Sequence, residues 1–145
     1  MDICVDSNIL IYNLNEFSPF HADVTRSISK LDSIGENLIV FPQNLIEFWA
    51  VATRPTISNG LGYTPARAAE EIAQIKATFQ LIPETRLIYP EWQSLVTAHD
   101  VSGKNVHDAR IAAQMNVNNI DNILTFNAKD FKRYANITAI EPESV

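Results

Sequence analysis

Five side chains spread along this sequence carry the oxygen chemistry that a hard divalent cation takes: Asp6, Glu47, Asp108, Asn127 and Asp130. Each also has a plain structural reading. Asp6 follows the apolar run Ile3-Cys-Val5, where an aspartate caps the next helix by accepting a bond from an orphan backbone N–H. Asp108 stands three residues after Asn105, so Asn105 as N-cap with Asp108 in an acidic first turn accounts for both. Asn127 and Asp130 repeat that spacing. Glu47 is harder to place, being the only polar side chain in LIEFWAVA, residues 45–52. Leu45, Ile46, Phe48, Trp49 and Val51 surround it at 100° per residue, the pattern of a helix buried all round. A carboxylate there needs a gap to solvent, an arginine partner or a cation.

The elements around these residues alternate between strand and helix. Strands are predicted at 3–5, 38–41, 81–82, within 120–126 and at 137–140. Helices are predicted from Ser7 or Asn8, then over 20–31, 43–53, 65–79, 89–101, 106–115 and 128–134. Pro42 suits the first turn of the helix carrying Glu47, and Thr64-Pro65 reads as an N-cap followed by proline at the first helical position. Residues 54–62 hold two of the four glycines and a proline, and read as a loop. This is an α/β pattern: a three-layer domain with a mostly parallel sheet of about five strands between helices. In such a sheet the strand ends and the first turns of the following helices share one rim. Carboxylates distant in sequence then meet there, repel one another, and need a cation to stay ionised.

Composition narrows the partners. The 145 residues suit one domain, 1–145, with 46% apolar and 19% charged residues and no apolar run of membrane-spanning length. The start has no basic, apolar leader, which makes the cytoplasm the expected location. A net charge of −6 argues against holding long nucleic acid by phosphate contacts alone. It leaves open an acidic site in which a bound metal supplies the positive charge. Cys4 has no second cysteine to pair with and reads as a core residue.

With these residues in hand, the chain resembles the PIN-domain family, and within it the VapC-type ribonuclease toxins of bacterial toxin–antitoxin systems. The matching segments are VDSNILIY at 5–12, LIEFWAVATRP at 45–55, GKNVHDARIAA at 103–113 and LTFNAKDF at 124–131. The resemblance implies an endoribonuclease whose acidic residues hold one or two Mg²⁺ or Mn²⁺ ions. The family's first three acidic positions fall on Asp6, Glu47 and Asp108. The fourth falls at Asn127, an amide where some members carry aspartate, with Asp130 as the nearby acid. An antitoxin covering the cleft and a homodimer built from helix surfaces are implied in the same way.

The residue types agree with hydrolysis of RNA phosphodiester bonds by metal-activated water. No Ser-His-Asp or Cys-His arrangement competes, His21, His99 and His107 lack zinc-helix spacing, and no Gly-x-x-x-x-Gly-Lys segment is present. Ser7 and Asn8 could orient Asp6 or bind a phosphate. Lys104, Arg110, Lys129 and Arg133 flank the acidic motifs and could neutralise phosphates, or be solvated surface. His107 reads as packed or surface, and Trp49 and Trp92 as core. Two other readings remain: a non-catalytic PIN-like module that binds RNA or protein, and a haloacid-dehalogenase-type phosphatase. The latter wants Asp-x-Asp where this chain has Asp6-Ser7-Asn8.

Overall fold

A computed structural model describes residues 1–145. Five short apolar strands pair side by side: β1 (Asp2–Val5), β2 (Asn37–Val40), β3 (Gln80–Leu81), β4 (Asn122–Leu124) and β5 (Thr138–Ile140). They lie in the order β3-β2-β1-β4-β5, and every pairing is parallel. β1 is the centre, with Ile3 opposite Leu38 on one side and Asn122 on the other. Because β2 and β4 leave β1 in opposite directions, the switch point of the sheet falls at the carboxyl ends of β1 and β4, where open α/β sheets bind ligands.

Parallel sheets require cover on both faces, and six helices provide it: α1 (Ser7–Leu14), α2 (His21–Ser33), α3 (Pro42–Thr53), α4 (Pro65–Thr78), α5 (Ile88–Ala98) and α6 (Asn105–Val117). The period-two alternation of β1 divides the core. Ile3 and Val5 pack with Leu10 of α1, Val24 of α2, Phe48 of α3 and Ile75 of α4. Cys4 points the other way, with Ile39 and Ile123, against Ala109, Ala112 and Met115 of α6. The three-layer α/β expectation is therefore met, with a sheet that is parallel throughout. Single 3-10 turns occupy Thr56–Ser58, Ala128–Phe131 and Pro142–Ser144. No helix is long and apolar enough to cross a membrane.

Local signals explain most helix starts. Thr64 caps α4 by accepting a bond from the Arg67 N–H at 3.1 Å, with Pro65 at the first helical position. α3 begins at Pro42, and the Asn44 side chain turns back to accept the Phe41 N–H at 2.8 Å. The helix expected over 128–134 is only a 3-10 turn at Ala128–Phe131, and two further expectations fail. Asn105 is not a cap but the first residue of α6: Gly103 at φ +64 makes the turn, and backbone bonds from Val106 to Gly103 and from His107 to Lys104 satisfy the free N–H groups. Nor is α3 buried all round. Its inner face holds Leu45, Phe48 and Ala52, whereas Ile46 is 67% exposed and Trp49 only partly buried. The reason is that α4 lies beside α3 without closing on it. An apolar groove of about 370 Å³ remains between them, lined by Ile46, Trp49 and Ile72 among others.

Phe48 is fully buried and anchors α3 to the sheet. Phe48→Ala is expected to lower the unfolding free energy by about 3–5 kcal/mol, read from urea denaturation followed by far-UV circular dichroism.

Candidate active site

The chain leaves β1 into α1 through Asp6, whose backbone N–H still donates to Leu124 O at 3.1 Å and so extends the β1–β4 ladder by one step. That backbone is extended, and the side chain stands at the mouth of the switch point, 5% exposed. Its Oδ1 accepts the Ser7 N–H at 2.8 Å, and its Oδ2 accepts the Thr125 hydroxyl at 2.7 Å. Helix capping and the site are therefore not alternatives for Asp6, since one oxygen serves each neighbour. Thr125 follows β4 and is fully buried; its hydroxyl also accepts the Asn127 N–H at 2.9 Å, which turns the chain out of the sheet. Asn127 precedes a 3-10 turn, but its side chain makes no cap bond, and Asp130 N–H goes to the Asn127 carbonyl instead. The capping expectation for Asn127 is thus corrected. With the backbone closing the turn, the Asn127 side chain lines the pocket.

One pocket of about 210 Å³ collects Asp6, Ser7, Asn8, Glu47, Asp108 and Asn127 on its polar side and Ile11, Tyr12 and Val51 on its apolar side. Five of the predicted polar residues from four separate segments thus join Asp6 in one cavity. Asp130 does not line it, yet its charge acts on both Asp6 and Asp108. The cationic candidates separate. Lys104 and Arg133 are close enough to lower the pKa of Asp108, and Lys129 is exposed beside Asp130. Arg110 is engaged elsewhere: its guanidinium pairs with Glu84 at 2.9 Å and donates to Gln43 Oε1 at 3.1 Å. His107 is exposed, and Trp92 packs on the core with its indole N–H on Val106 O at 2.8 Å.

The electrostatics are those of crowded, partly dehydrated carboxylates. Burial first, and Asp6 next, push Glu47 up to about 7; Gln43 and Ser7 lie near enough to favour its ionised form without closing a bond of ordinary geometry. Burial, then Asp6 and Asp130, push Asp108 up to about 6, against the pull of Lys104 and Arg133. Asp6 is raised by burial, with Thr125 and Ser7 opposing and Asp130 adding. Directly beneath, the buried Cys4 thiol is pushed well above its ordinary range by burial and by the Asp6 and Glu47 charges. Asn8 adds an oxygen in the same pocket that is buried with no hydrogen-bond partner. Such a set, all oxygen and short of positive charge, fits a hard divalent cation that keeps several waters. No three His, Cys, Asp or Glu side chains form a closed ligand group on their own, so water and substrate oxygens would complete the shell.

Three participants escape a reading of the sequence by motif. Thr125 marks its segment in that reading, but its bond to Asp6 spans 119 residues and requires β4 to lie beside β1. Gln43 and Tyr12 carry no local pattern that separates them from ordinary helix residues.

A family model for the PIN domain matches residues 3–137. No curated protein sequence matches the chain. Among solved structures, VapBC2 of Rickettsia felis bound to a promoter DNA fragment superposes with a TM-score of 0.74 at 16% identity, covering 97% of this chain and 98% of that one. VapC20 of Mycobacterium tuberculosis, a toxin that cleaves the sarcin-ricin loop, gives 0.66 at 20% identity over 91% and 95%. FitAcB of Neisseria gonorrhoeae gives 0.67 at 14% identity, with complete coverage of both chains. These likenesses establish the fold.

The raised pKa values fix the sign of a pH effect. An ordinary aspartate or glutamate titrates near 4, so between that value and about 6 for Asp108 or about 7 for Glu47 the folded chain holds protons that the unfolded chain has released. Their stabilisation is complete below the unfolded value and is lost as pH rises through about 6 and about 7. The melting temperature of the metal-free protein is expected to fall between pH 5 and pH 8. Glu47→Gln flattens that slope and melts higher than wild type at pH 8; scanning calorimetry in chelator-treated buffer reads both.

Proposed function

The chain belongs to the PIN-domain family, and from that premise we propose that it is a Mg²⁺- or Mn²⁺-dependent endoribonuclease acting as the toxin of a toxin–antitoxin pair. The observation that carries the reading is the convergence of Asp6, Glu47 and Asp108 in one pocket, each held above its ordinary pKa by burial and by the other charges. A site that destabilises its own ionised state in this way is arranged for an added positive charge. VapC20 is a sarcin-ricin loop cleaving toxin, and a structure from Klebsiella pneumoniae that superposes with a TM-score of 0.65 at 18% identity is a toxin–antitoxin complex. They supply the analogy for RNA as substrate and for an antitoxin as partner.

In this reading the chain is one catalytic domain over 1–145, working in the cytoplasm as a homodimer. Asp6 and Asp108 are the principal metal ligands, with Asn127 by its carbonyl oxygen, or Asp130 through water, at the fourth position. A divalent cation bound there supplies a water of lowered pKa and offsets charge on the phosphate and the leaving oxygen. The protein's part is placement. Ser7 N–H and the Thr125 hydroxyl fix both oxygens of Asp6. Glu47, in the same pocket, would orient the water. Ser7 and Asn8 line the pocket where a scissile phosphate would lie, and Lys104, Lys129 and Arg133 flank it as phosphate partners. Arg110, bound to Glu84 and Gln43, has less freedom for that role.

The second reading, a PIN-like module that binds RNA or protein without cleaving, draws on Asn127, an amide at the fourth acidic position. Metal-dependent cleavage separates the two. Purified protein with Mn²⁺ is expected to cut RNA. Asp6→Asn, Glu47→Gln and Asp108→Asn should each lower the rate by about 100-fold or more while keeping the wild-type circular dichroism spectrum. Folded wild type that neither binds Mn²⁺ nor cleaves tRNA, rRNA or mRNA would favour the binding module.

A further inference from the structure

Behind the acidic pocket, a single side chain joins the helix that carries Glu47 to the helix that carries Asp108. Gln43 lies in the first turn of α3, four residues before Glu47 and so on the same face. It is 7% exposed. Its amide nitrogen donates to the carbonyl of His107, the residue preceding Asp108, at 2.9 Å. Its oxygen accepts from the Arg110 guanidinium at 3.1 Å and from the Gln114 amide nitrogen at 2.8 Å. All side-chain hydrogen bonds between α3 and α6 end on this one residue.

The chemistry of these partners allows one orientation of the amide. A guanidinium only donates and a backbone carbonyl only accepts, so Gln43 Oε1 must face Arg110 and Nε2 must face His107. Arg110 is in turn held by Glu84. The grip spans the first three turns of α6, whose N-terminus has no side-chain cap. We propose that Gln43 is a positioning residue: its side-chain amide fixes the first turn of α6, and with it Asp108, against α3 and Glu47, setting the spacing of the two carboxylates across the pocket. This inference rests on the metal-dependent nuclease reading of the same pocket. It gives Arg110 a role as the lock on Gln43 rather than as a phosphate contact.

Two substitutions isolate the donor. Gln43→Glu keeps an acceptor for Arg110 and Gln114, which favours folding, but loses the N–H that reaches His107. Gln43→Leu removes both functions. Mn²⁺ binding, counted by the loss of the free-ion electron paramagnetic resonance signal, is expected to weaken about 10-fold in both variants. The kcat for RNA cleavage should fall about 10-fold with KM within about twofold of wild type. In an Asp108→Asn background, Gln43→Leu should weaken the remaining Mn²⁺ binding by less than about twofold, because the carboxylate that Gln43 positions is already gone. A residue that merely supported the fold would weaken binding by the same factor in both backgrounds, and that result overturns the proposal. So does a folded Gln43→Glu protein with wild-type Mn²⁺ affinity and kcat. Wild type without Mn²⁺ binding or cleavage overturns the nuclease reading and the inference with it, whereas wild-type activity with indifferent Gln43 variants overturns the inference alone.

Discussion

A carboxylate at the end of a central, fully covered strand loses nearly all of its hydration, and an ionised group in that position costs several kcal/mol unless something replaces the water. Asp6 is that group, and much of the structure around the pocket serves to replace its water. The Ser7 N–H comes with the start of α1, and the Thr125 hydroxyl comes with the end of β4. The second of these depends on sheet order, because only a strand directly beside β1 can bring a hydroxyl within 2.7 Å of its last side chain. The two bonds are not sufficient, and Asp6 remains above the ordinary carboxylate range. Burial raises Glu47, Asp108 and the thiol of Cys4 as well, and the Asp6 charge adds to the shift of each.

The covering layers contribute unequally to this frame. α3 uses one face to bury Leu45, Phe48 and Ala52, and so presents Glu47 beside the strand ends at an angle set by apolar packing. α6 has small residues inward, Ala109, Ala112 and Ala113, which let it lie close on Cys4 and Ile123. Ile111 and Met115 add buried apolar packing there, and Trp92, Leu95 and Val96 of α5 pack on the same core. Directional bonds are suited to fixing rotation, and those that join α6 to α3 run to Gln43 from one stripe of the helix.

Much of this was legible in the amino-acid order, and the exceptions have physical causes. Strand and helix placement followed from apolar periodicity and proline position, as in Thr64-Pro65. The PIN family followed from four short segments, and the family model matches residues 3–137. Asn105 misled because capping preference is a local statistic, and a glycine turn satisfied the same N–H groups through the backbone. LIEFWAVA misled because an apolar surround has the same appearance whether the helix is enclosed or faces an open groove, and Ile46 and Trp49 lie on the groove between α3 and α4. The joint presence of Asp6, Glu47, Asp108 and Asn127 in one cavity could be anticipated from parallel-sheet geometry. The supports of that cavity could not, because Thr125 and Gln43 act through contacts 119 and 64 residues distant.

That sequence distance bears on the order in which the molecule comes into being. During synthesis Asp6 emerges with the first strand, while Thr125, which completes its bonding, is added 119 residues later. At the ordinary pace of translation, about 5–20 residues per second, the interval is on the order of ten seconds. Throughout it, Asp6 is without the Thr125 hydroxyl and β1 is without its neighbour β4. A copy made only as far as β3 therefore has no assembled pocket, and the domain acquires it once β4 and Thr125 are in place.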